Sequence, residues 1–388
     1  MSTSFLKFEE LTWPEVRAVH RRTPLVLPLG SGYDMHRLAD ALGNPEIAYL
    51  LPSFPYGWQG SGLVVSDAVL SRYLENLISG LWDDGFTNTF VLVPQGLQLN
   101  LCVPWLALPH QSTVFQSNSL PAETEHGKLV LIPIGHTEQH GFHLPLSTDT
   151  MIIEAIAQGT ASAFSEQTTL LPVMPYGVST HRQSFAGTFN AGGRAFEDFW
   201  INVIDVLAER RFKLFYLING HGGNSSFIIN AIKYAGERHR RIFCATAWLY
   251  LSGPQGIAAL EKYRQSGIGG MGHACELETS FILHLHPELV HMERVVDEVD
   301  FVATPSYYMD WVEGGALIAN PPWDDDSKTG AYGAGSLATA EKGRLWLQAA
   351  IDEKVAHIKE IFQQHQLREA RRESGYGLWG EVNKSGYT

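Results

Sequence analysis

Short apolar runs of strand length recur along the chain, with helix-length amphipathic stretches between them. TPLVLPLG (23–30), TFVLVPQG (89–96), KLVLIPIG (128–135), LLPVMPYG (170–177), KLFYLING (213–220) and RIFCATAWLYL (241–251) are each bounded by glycine or polar residues. Continuous apolar runs without strict alternation are what a parallel sheet covered on both faces requires. Apolar residues at three-to-four spacing predict helices over Asp149–Gln158, Phe196–Arg210, Ser226–His239, Glu276–Leu285 and Thr339–Phe362. The alternation predicts an α/β fold, with a mostly parallel sheet flanked by helices and polar loops at the strand ends where such sheets build their sites.

The pattern also repeats within the chain. PLVLPLG, ending at Gly30, resembles LVLIPIG, ending at Gly135, and LLPSFPYG, ending at Gly57, resembles LLPVMPYG, ending at Gly177. The helix-like run through Leu81 into TFVLVPQGLQLN parallels the run through Leu207 into KLFYLINGHGGN. The shared order points to a duplication, with residues 1–125 as a smaller α/β copy and residues 126–388 as the larger unit.

Length and composition agree with two folded units, since 388 residues with 45% apolar and 18% charged positions can bury a sizeable core. A formal net charge of -13 disfavours phosphate backbones and anionic bilayers, so neither nucleic acid nor membrane is expected as a partner. The opening MSTSFLKFEELTWPEV has no signal-like apolar stretch, and no run approaches the roughly 18 apolar residues of a membrane span, so a cytoplasmic location is expected. Cys102, Cys244 and Cys275 are too few and too scattered for a disulfide framework or a cysteine zinc cage. Cys102 and Cys244, in or beside strand-like runs, read as buried apolar filler. Cys275 reads as a small wall residue, with a nucleophilic thiol as the alternative.

Three polar clusters carry the candidate chemistry. GHTEQHGFHLPLSTDT directly follows the run ending at Ile134, and its Glu138-x-His140 pair with Asp149 suits a hard or borderline divalent ion. Glycines and prolines let that loop fold back so that the three side chains converge. NGHGGN (219–224) follows another apolar run and lacks the spacing of phosphate-binding loops, so His221 reads as a ligand. GHACELETS (272–280) places His273, Glu276 and Glu278 at the start of a helical pattern, where acidic residues also favour the helix dipole. In the first copy Tyr33 and Met35 stand where Glu138 and His140 stand, and Leu97 lies near the place of His221, so that half is expected to hold no metal.

Together with GAYGAGSLATAEKG (330–343), these clusters resemble the creatininase (creatinine amidohydrolase) family in order and residue type, over about residues 126–365. The resemblance implies two divalent metals, zinc foremost with manganese or iron as alternatives. It implies that Glu138 and His140 each bind one metal, that Asp149 bridges both, and that His221 joins the metal bound by Glu138. His273 resembles the family's acid/base histidine, with Glu276 beside it as a second catalytic candidate. Creatininase itself carries a glutamate ligand within its NGH motif, where this chain has Gly223. The chain therefore resembles the broader NGHGGN branch, and the missing carboxylate is assigned to Glu278. That branch includes formamide-cleaving enzymes and a peptidase that trims the mycofactocin precursor, so creatinine is not the default substrate.

The implied reaction is hydrolysis of a non-polymeric amide, cyclic amide or formamide by water activated between the two metals. His181 and Arg182, in YGVSTHRQSFAGTFN, are the expected substrate-binding residues, the arginine meeting a substrate carboxylate. A homo-oligomer acting on a small-molecule amide follows from the same resemblance. The alternatives are a peptidase that trims a ribosomal precursor peptide and a catalytically silent scaffold protein.

Overall fold

The computed structural model describes residues 3–110, 119–180 and 184–375. The N-terminal unit runs β1 (Ser4–Lys7), α1 (Trp13–Ala18), β2 (Leu25–Pro28), α2 (Met35–Ala41), β3 (Ile47–Leu50), α3 (Asp67–Asp83), β4 (Thr89–Pro94) and β5 (Trp105–Leu108). The larger unit continues with β6 (Leu129–Ile134), α4 (Thr148–Ala163), β7 (Thr168–Leu170), α5 (Gly193–Glu209), β8 (Leu214–Asn219), α6 (Ser225–Arg238) and β9 (Phe243–Ala247). It closes with α7 (Pro254–Tyr263), β10 (Met271–His273), α8 (Glu276–Leu285), β11 (Tyr332–Gly333) and α9 (Ala340–Glu373).

The strands form a parallel sheet in the order β1-β3-β2-β4-β5, a second parallel sheet in the order β7-β6-β8-β9, and the small antiparallel pair β10-β11. All residues of β2, β6 and β8 are buried, the consequence of apolar runs covered on both faces. Alternate side chains serve different cores. Val130, Ile132 and Phe215 share one cluster with Leu25, Leu27, Val91 and the facing helices α3 and α5. Leu129, Leu131 and Tyr216 point the other way, onto α4, α8 and α9. The two units are thus joined by one continuous core, centred on Phe54, Tyr73, Phe196 and Phe199, with Tyr73 and Phe199 rings 5.1 Å apart. Buried hydrogen bonds cross the same boundary: Tyr73 Oη donates to Tyr176 O at 2.7 Å, and Tyr176 Oη donates to Pro52 O at 2.5 Å.

The strand orders β3-β2-β4-β5 and β7-β6-β8-β9 are the same, and α3 and α5, both 17 residues long, occupy corresponding connections. The agreement extends to single residues. Leu29 bridges Phe54 as Ile134 bridges Met174. Gly30 N donates to Phe54 O at 2.9 Å and Gly135 N to Met174 O at 2.8 Å. After each helix the chain turns through a left-handed residue, Gly85 (φ 89°) or Arg211 (φ 71°). Tyr33, at the place of Glu138, is buried, donates its hydroxyl to Leu29 O at 2.7 Å and packs edge-on against His110.

Some local expectations change. LLPVMPYG forms no full strand, because Pro172 and Pro175 have no amide to donate; β7 ends at Leu170 and Met174 makes a single bridge. The last helix runs beyond Phe362 to Glu373, where good helix formers carry it after its core contacts end. Cys102, expected as buried filler, is exposed between β4 and β5, and Cys244 is only partly buried as a residue. Among the described residues no helix is long and apolar enough to cross a membrane.

Candidate metal centre

The site lies at the C-terminal ends of β6 and β8, which pair through Ile134 and Asn219. Beyond β6 the chain folds back tightly. A side chain at Gly135 would collide with Thr150, and Gly141 reverses the chain at φ 62°. The fold-back lets Glu138 N donate to Leu146 O at 3.0 Å, while α4 presents Asp149 from its first turn. Gly220 N donates to Ile134 O at 2.8 Å, so His221 emerges beside that loop. β10 delivers His273, and α8 then brings Glu278 inward, where its Oε2 accepts from Ala274 N at 2.5 Å.

The side chains of Glu138, His140, Asp149, His221, His273 and Glu278 converge here, and all are at least 98% buried. His221 Nδ1 is 3.1 Å from both Glu138 Oε1 and Asp149 Oδ2. His140 Nε2 is 3.1 Å from Asp149 Oδ1 and 3.8 Å from Glu278 Oε1. His273 Nδ1 is 3.7 Å from Glu138 Oε1 and 4.0 Å from Glu278 Oε2. The outer nitrogen of each ring faces a backbone carbonyl: His221 Nε2 with Val178 O at 3.1 Å, His140 Nδ1 with Glu138 O at 3.1 Å, and His273 Nε2 with Gln139 O at 2.7 Å. A carbonyl only accepts, so each outer nitrogen carries its ring's proton. The inner nitrogens face buried carboxylate oxygens, so each contact needs either a proton on the nitrogen or, where the ring is neutral, a metal ion to take its lone pair.

The electrostatics express the same need. Burial lowers the pKa of His140, but Asp149 and Glu278 outweigh it and hold the ring up at about 10. Burial likewise acts against the His221 cation, and Glu138 and Asp149 carry it to about 9. Asp149 stays below its ordinary value although burial pushes it up, because His140 and His221 favour its anion. Potential ligand atoms fall into three overlapping groups, each within 4.8 Å: His136, Glu138 and His221; Glu138, His140 and His273; His140, Asp149 and Glu278. Buried carboxylate and imidazole donors in such proximity fit divalent ions of the zinc, manganese or iron kind. His136 differs from the other histidines, because its Nδ1 accepts from Gly177 N at 2.9 Å. Its proton therefore resides on Nε2, which lies 3.9 Å from Glu138 Oε2 and in this tautomer has no lone pair to offer a metal.

Gly223 has no room for a ligand side chain. A Cβ there would overlap Val178 O and lie 2.5 Å from His221 Nε2, and the nearby carboxylate comes from Glu278. Glu276, expected beside His273 as a catalytic residue, is not brought together with the convergent side chains. Two residues before Glu278 on α8 it points to a different side, where Lys342 Nζ holds it at 2.6 Å and the amides of Gln265 and Ser266 donate to it. His181 and Arg182 lie outside the described residues. Burial pushes the Cys275 thiol well above its ordinary value, which leaves it a wall residue.

Sequence reasoning missed Tyr250, whose hydroxyl is 2.5 Å from Gly220 O and 3.1 Å from Asp149 Oδ1. It also missed Asn224, which ties three loops together by accepting from Val178 N at 2.9 Å and donating to Gly135 O at 3.2 Å. The repeated asparagine and glycines of NGHGGN signalled this tight crossing, whereas Tyr250 sits in an apolar run and carries no such signal.

A cleft of about 690 Å³ opens over Asp149, His221, His273 and Glu278. Its walls include Trp248, Tyr307, Tyr308, Trp311 and Leu317. Asp310 also lines it, but its carboxylate is held by Arg264 at 2.7 Å and by the amide of Gly269 at 2.8 Å. Another hollow, about 590 Å³ around Trp13, Phe142 and Arg294, contains none of the convergent ligands.

Residues 115–358 match the creatininase family, described as creatinine amidohydrolase, and the chain belongs to that family. It is 30% identical over 236 residues to the mycofactocin precursor peptide peptidase of Mycobacterium ulcerans, covering 59% of this chain and 84% of that protein. It is 27% identical over 254 residues to the creatinine amidohydrolase of Pseudomonas putida, covering 60% and 90% respectively. A solved structure described as Creatininase Mn shares the fold with a TM-score of 0.52 at 24% identity, over 61% of this chain and 93% of that one. Members of the family are hydrolases.

Proposed function

We propose that this protein is a metal-dependent amidohydrolase acting on a non-polymeric amide, cyclic amide or formamide. The observation that carries this reading is the set of three histidines whose outer nitrogens are committed to carbonyls while their inner nitrogens face Glu138, Asp149 and Glu278. Glu138, Asp149 and His221 would hold one divalent ion, and His140, Asp149 and Glu278 the other, with zinc foremost and manganese or iron as alternatives. When bound, the ions supply water activation and polarisation of the amide carbonyl. Hydrolysis adds the oxygen of water to the carbonyl carbon and breaks the C–N bond. His273, oriented by Gln139 O, can hold a proton at Nδ1 and pass it to the leaving nitrogen.

The aromatic walls of the cleft favour an uncharged or aromatic group on the substrate. The size of that cleft supports a second reading, a peptidase acting on a precursor peptide, the activity named for the Mycobacterium ulcerans relative. A silent scaffold is disfavoured by the intact ligand set. The family resemblance implies a homo-oligomer, the sequence pattern a cytoplasmic location, and the internal repeat that residues 1–125 are a metal-free copy of the unit formed by residues 126–388. The correspondence of β3-β2-β4-β5 with β7-β6-β8-β9 supports the duplication.

The test is elemental analysis of purified protein followed by a panel of formamides, cyclic amides and short peptides. About two divalent ions per chain with turnover of small amides supports the proposal. Turnover confined to peptides selects the second reading, and protein that holds no ion after expression in metal-replete medium refutes the enzyme assignment.

A further inference from the structure

The N-terminal unit does more than cover apolar surface. Its segment from Phe8 to Val16 lies along the loop that carries Glu138 and His140. Leu11 O accepts from Leu146 N at 3.0 Å, and Glu9 O accepts from Ser147 N at 3.0 Å and from Ser147 Oγ at 2.9 Å. Leu146 O in turn accepts from Glu138 N at 3.0 Å. Glu138 is therefore two hydrogen bonds from the N-terminal unit, and Ser147 is the residue immediately before the helix that presents Asp149.

Side chains reinforce that contact. Trp13 is 94% buried and stacks on Phe142, two residues past His140, with centroids 5.4 Å apart and planes inclined by 13°. Its edge meets Phe185 at 5.1 Å. Glu15 caps the start of α1 through Thr12 N at 2.8 Å and also pairs with Arg294 of the larger unit at 3.1 Å. Farther along, Asp84 Oδ2 accepts from Gly187 N at 2.7 Å. The loop from Gly135 to Ser147 has little regular structure of its own, so its amides need partners from elsewhere.

From these contacts we infer that residues 8–16 brace the metal loop, with Trp13 as a positioning residue for Glu138, His140 and Asp149. The inference rests on the metal-centre reading for its functional consequence, but the brace itself can be measured without metal. An aromatic plate on Phe142 and the backbone acceptors Leu11 O and Glu9 O, which take the amides of Leu146 and Ser147, fix the middle and the C-terminal end of the loop. Loss of the plate lets the loop relax, and ligands that relax bind metal less well, by about 10- to 100-fold where supporting contacts are removed.

The experiment uses the full chain with Trp13→Ala, Trp13→Phe and, as a control, Leu38→Ala. Leu38 belongs to a buried cluster on the opposite face of the N-terminal sheet. Hydrogen exchange of the metal-free protein over residues 136–149 reads the brace, and zinc affinity against a chromogenic chelator reads its consequence. Trp13→Ala should lose exchange protection across that stretch and bind zinc at least about 10-fold more weakly. Trp13→Phe should recover most of both, and Leu38→Ala should lower the melting temperature without either change. Should Trp13→Ala fail to fold, Phe142→Ala removes the same contact from the loop side and is read in the same way. Unchanged exchange in Trp13→Ala or in its substitute, or an equal loss in Leu38→Ala, overturns the brace. Altered exchange with no zinc binding even by the wild type supports the brace and refutes the metal reading alone.

Discussion

His221 Nδ1 lies 3.1 Å from Asp149 Oδ2, while the other nitrogen of the same ring is committed to Val178 O. A neutral imidazole held this way offers a lone pair to a carboxylate, and either a proton on that nitrogen or a metal ion in its place makes the contact favourable. His140 approaches the other oxygen of Asp149 at 3.1 Å in the same manner. One carboxylate thus faces two histidines from two sides.

Asp149→Ala should consequently abolish both hydrolysis and tight metal binding, since it removes the group common to both pockets. Metal content by elemental analysis decides the point. A variant that still retains two tightly bound ions would show that Asp149 does not bridge.

His273→Ala should behave differently. The variant is expected to keep its metals while turnover falls by about 100-fold or more, the usual range for losing a general acid or base. Loss of an ion together with the side chain would instead make His273 a ligand.

Tyr250→Phe removes a hydroxyl placed between Asp149 and Gly220 and leaves the buried ring in its packing. Without it, Asp149 loses an orienting donor, and metal affinity should drop by roughly 10-fold or more. Chelator competition measures this, and wild-type affinity would show that the loop alone orients the carboxylate.

The difference between Asp149 and Tyr250 shows what a sequence can display. Asp149 was legible because a carboxylate amid histidines and glycines is costly to bury without a partner. Tyr250 reads as one more apolar residue of WLYL, and only its approach to β6 and α4 gives it a task. Glu276 misled for the opposite reason. It shares the composition of its cluster, but helical geometry turns it toward Lys342, a residue distant in sequence. The parallel sheets were legible from their apolar runs, whereas the brace by Trp13 depends on contacts that no local pattern encodes. The same is true of the histidine tautomers, which are fixed by carbonyls of separate loops.

Stability should depend on pH at the boundary between the units. Burial, working against the amide of Gly187 and the charge of Arg21, raises Asp84 from an ordinary 3.8 to about 6. The folded state therefore holds this proton more tightly than the unfolded chain. The resulting stabilisation is complete below about 3.8 and is lost as pH rises through about 6. Asp84→Asn should flatten the fall in urea midpoint between about pH 3.8 and 6.5, an effect of at most about 2 kcal/mol. Equal pH slopes for variant and wild type would mean that other groups set the dependence; Glu9, raised to about 7 chiefly by burial, is the next to replace.

Removal of residues 1–125 is the most severe test of how the units depend on each other. The deletion takes away no metal ligand, yet it uncovers Phe196, Phe199 and Val203, together with the sheet face bearing Val130 and Ile132. An apolar patch of that extent drives self-association. The fragment 126–388 should aggregate or form new oligomers, and any soluble fraction should bind zinc more weakly because Leu146 and Ser147 lose their backbone acceptors. Size-exclusion chromatography and chelator competition on the same sample separate the two effects. A soluble fragment with the assembly state and zinc affinity of the full chain would mean that the N-terminal unit neither covers nor supports the larger unit.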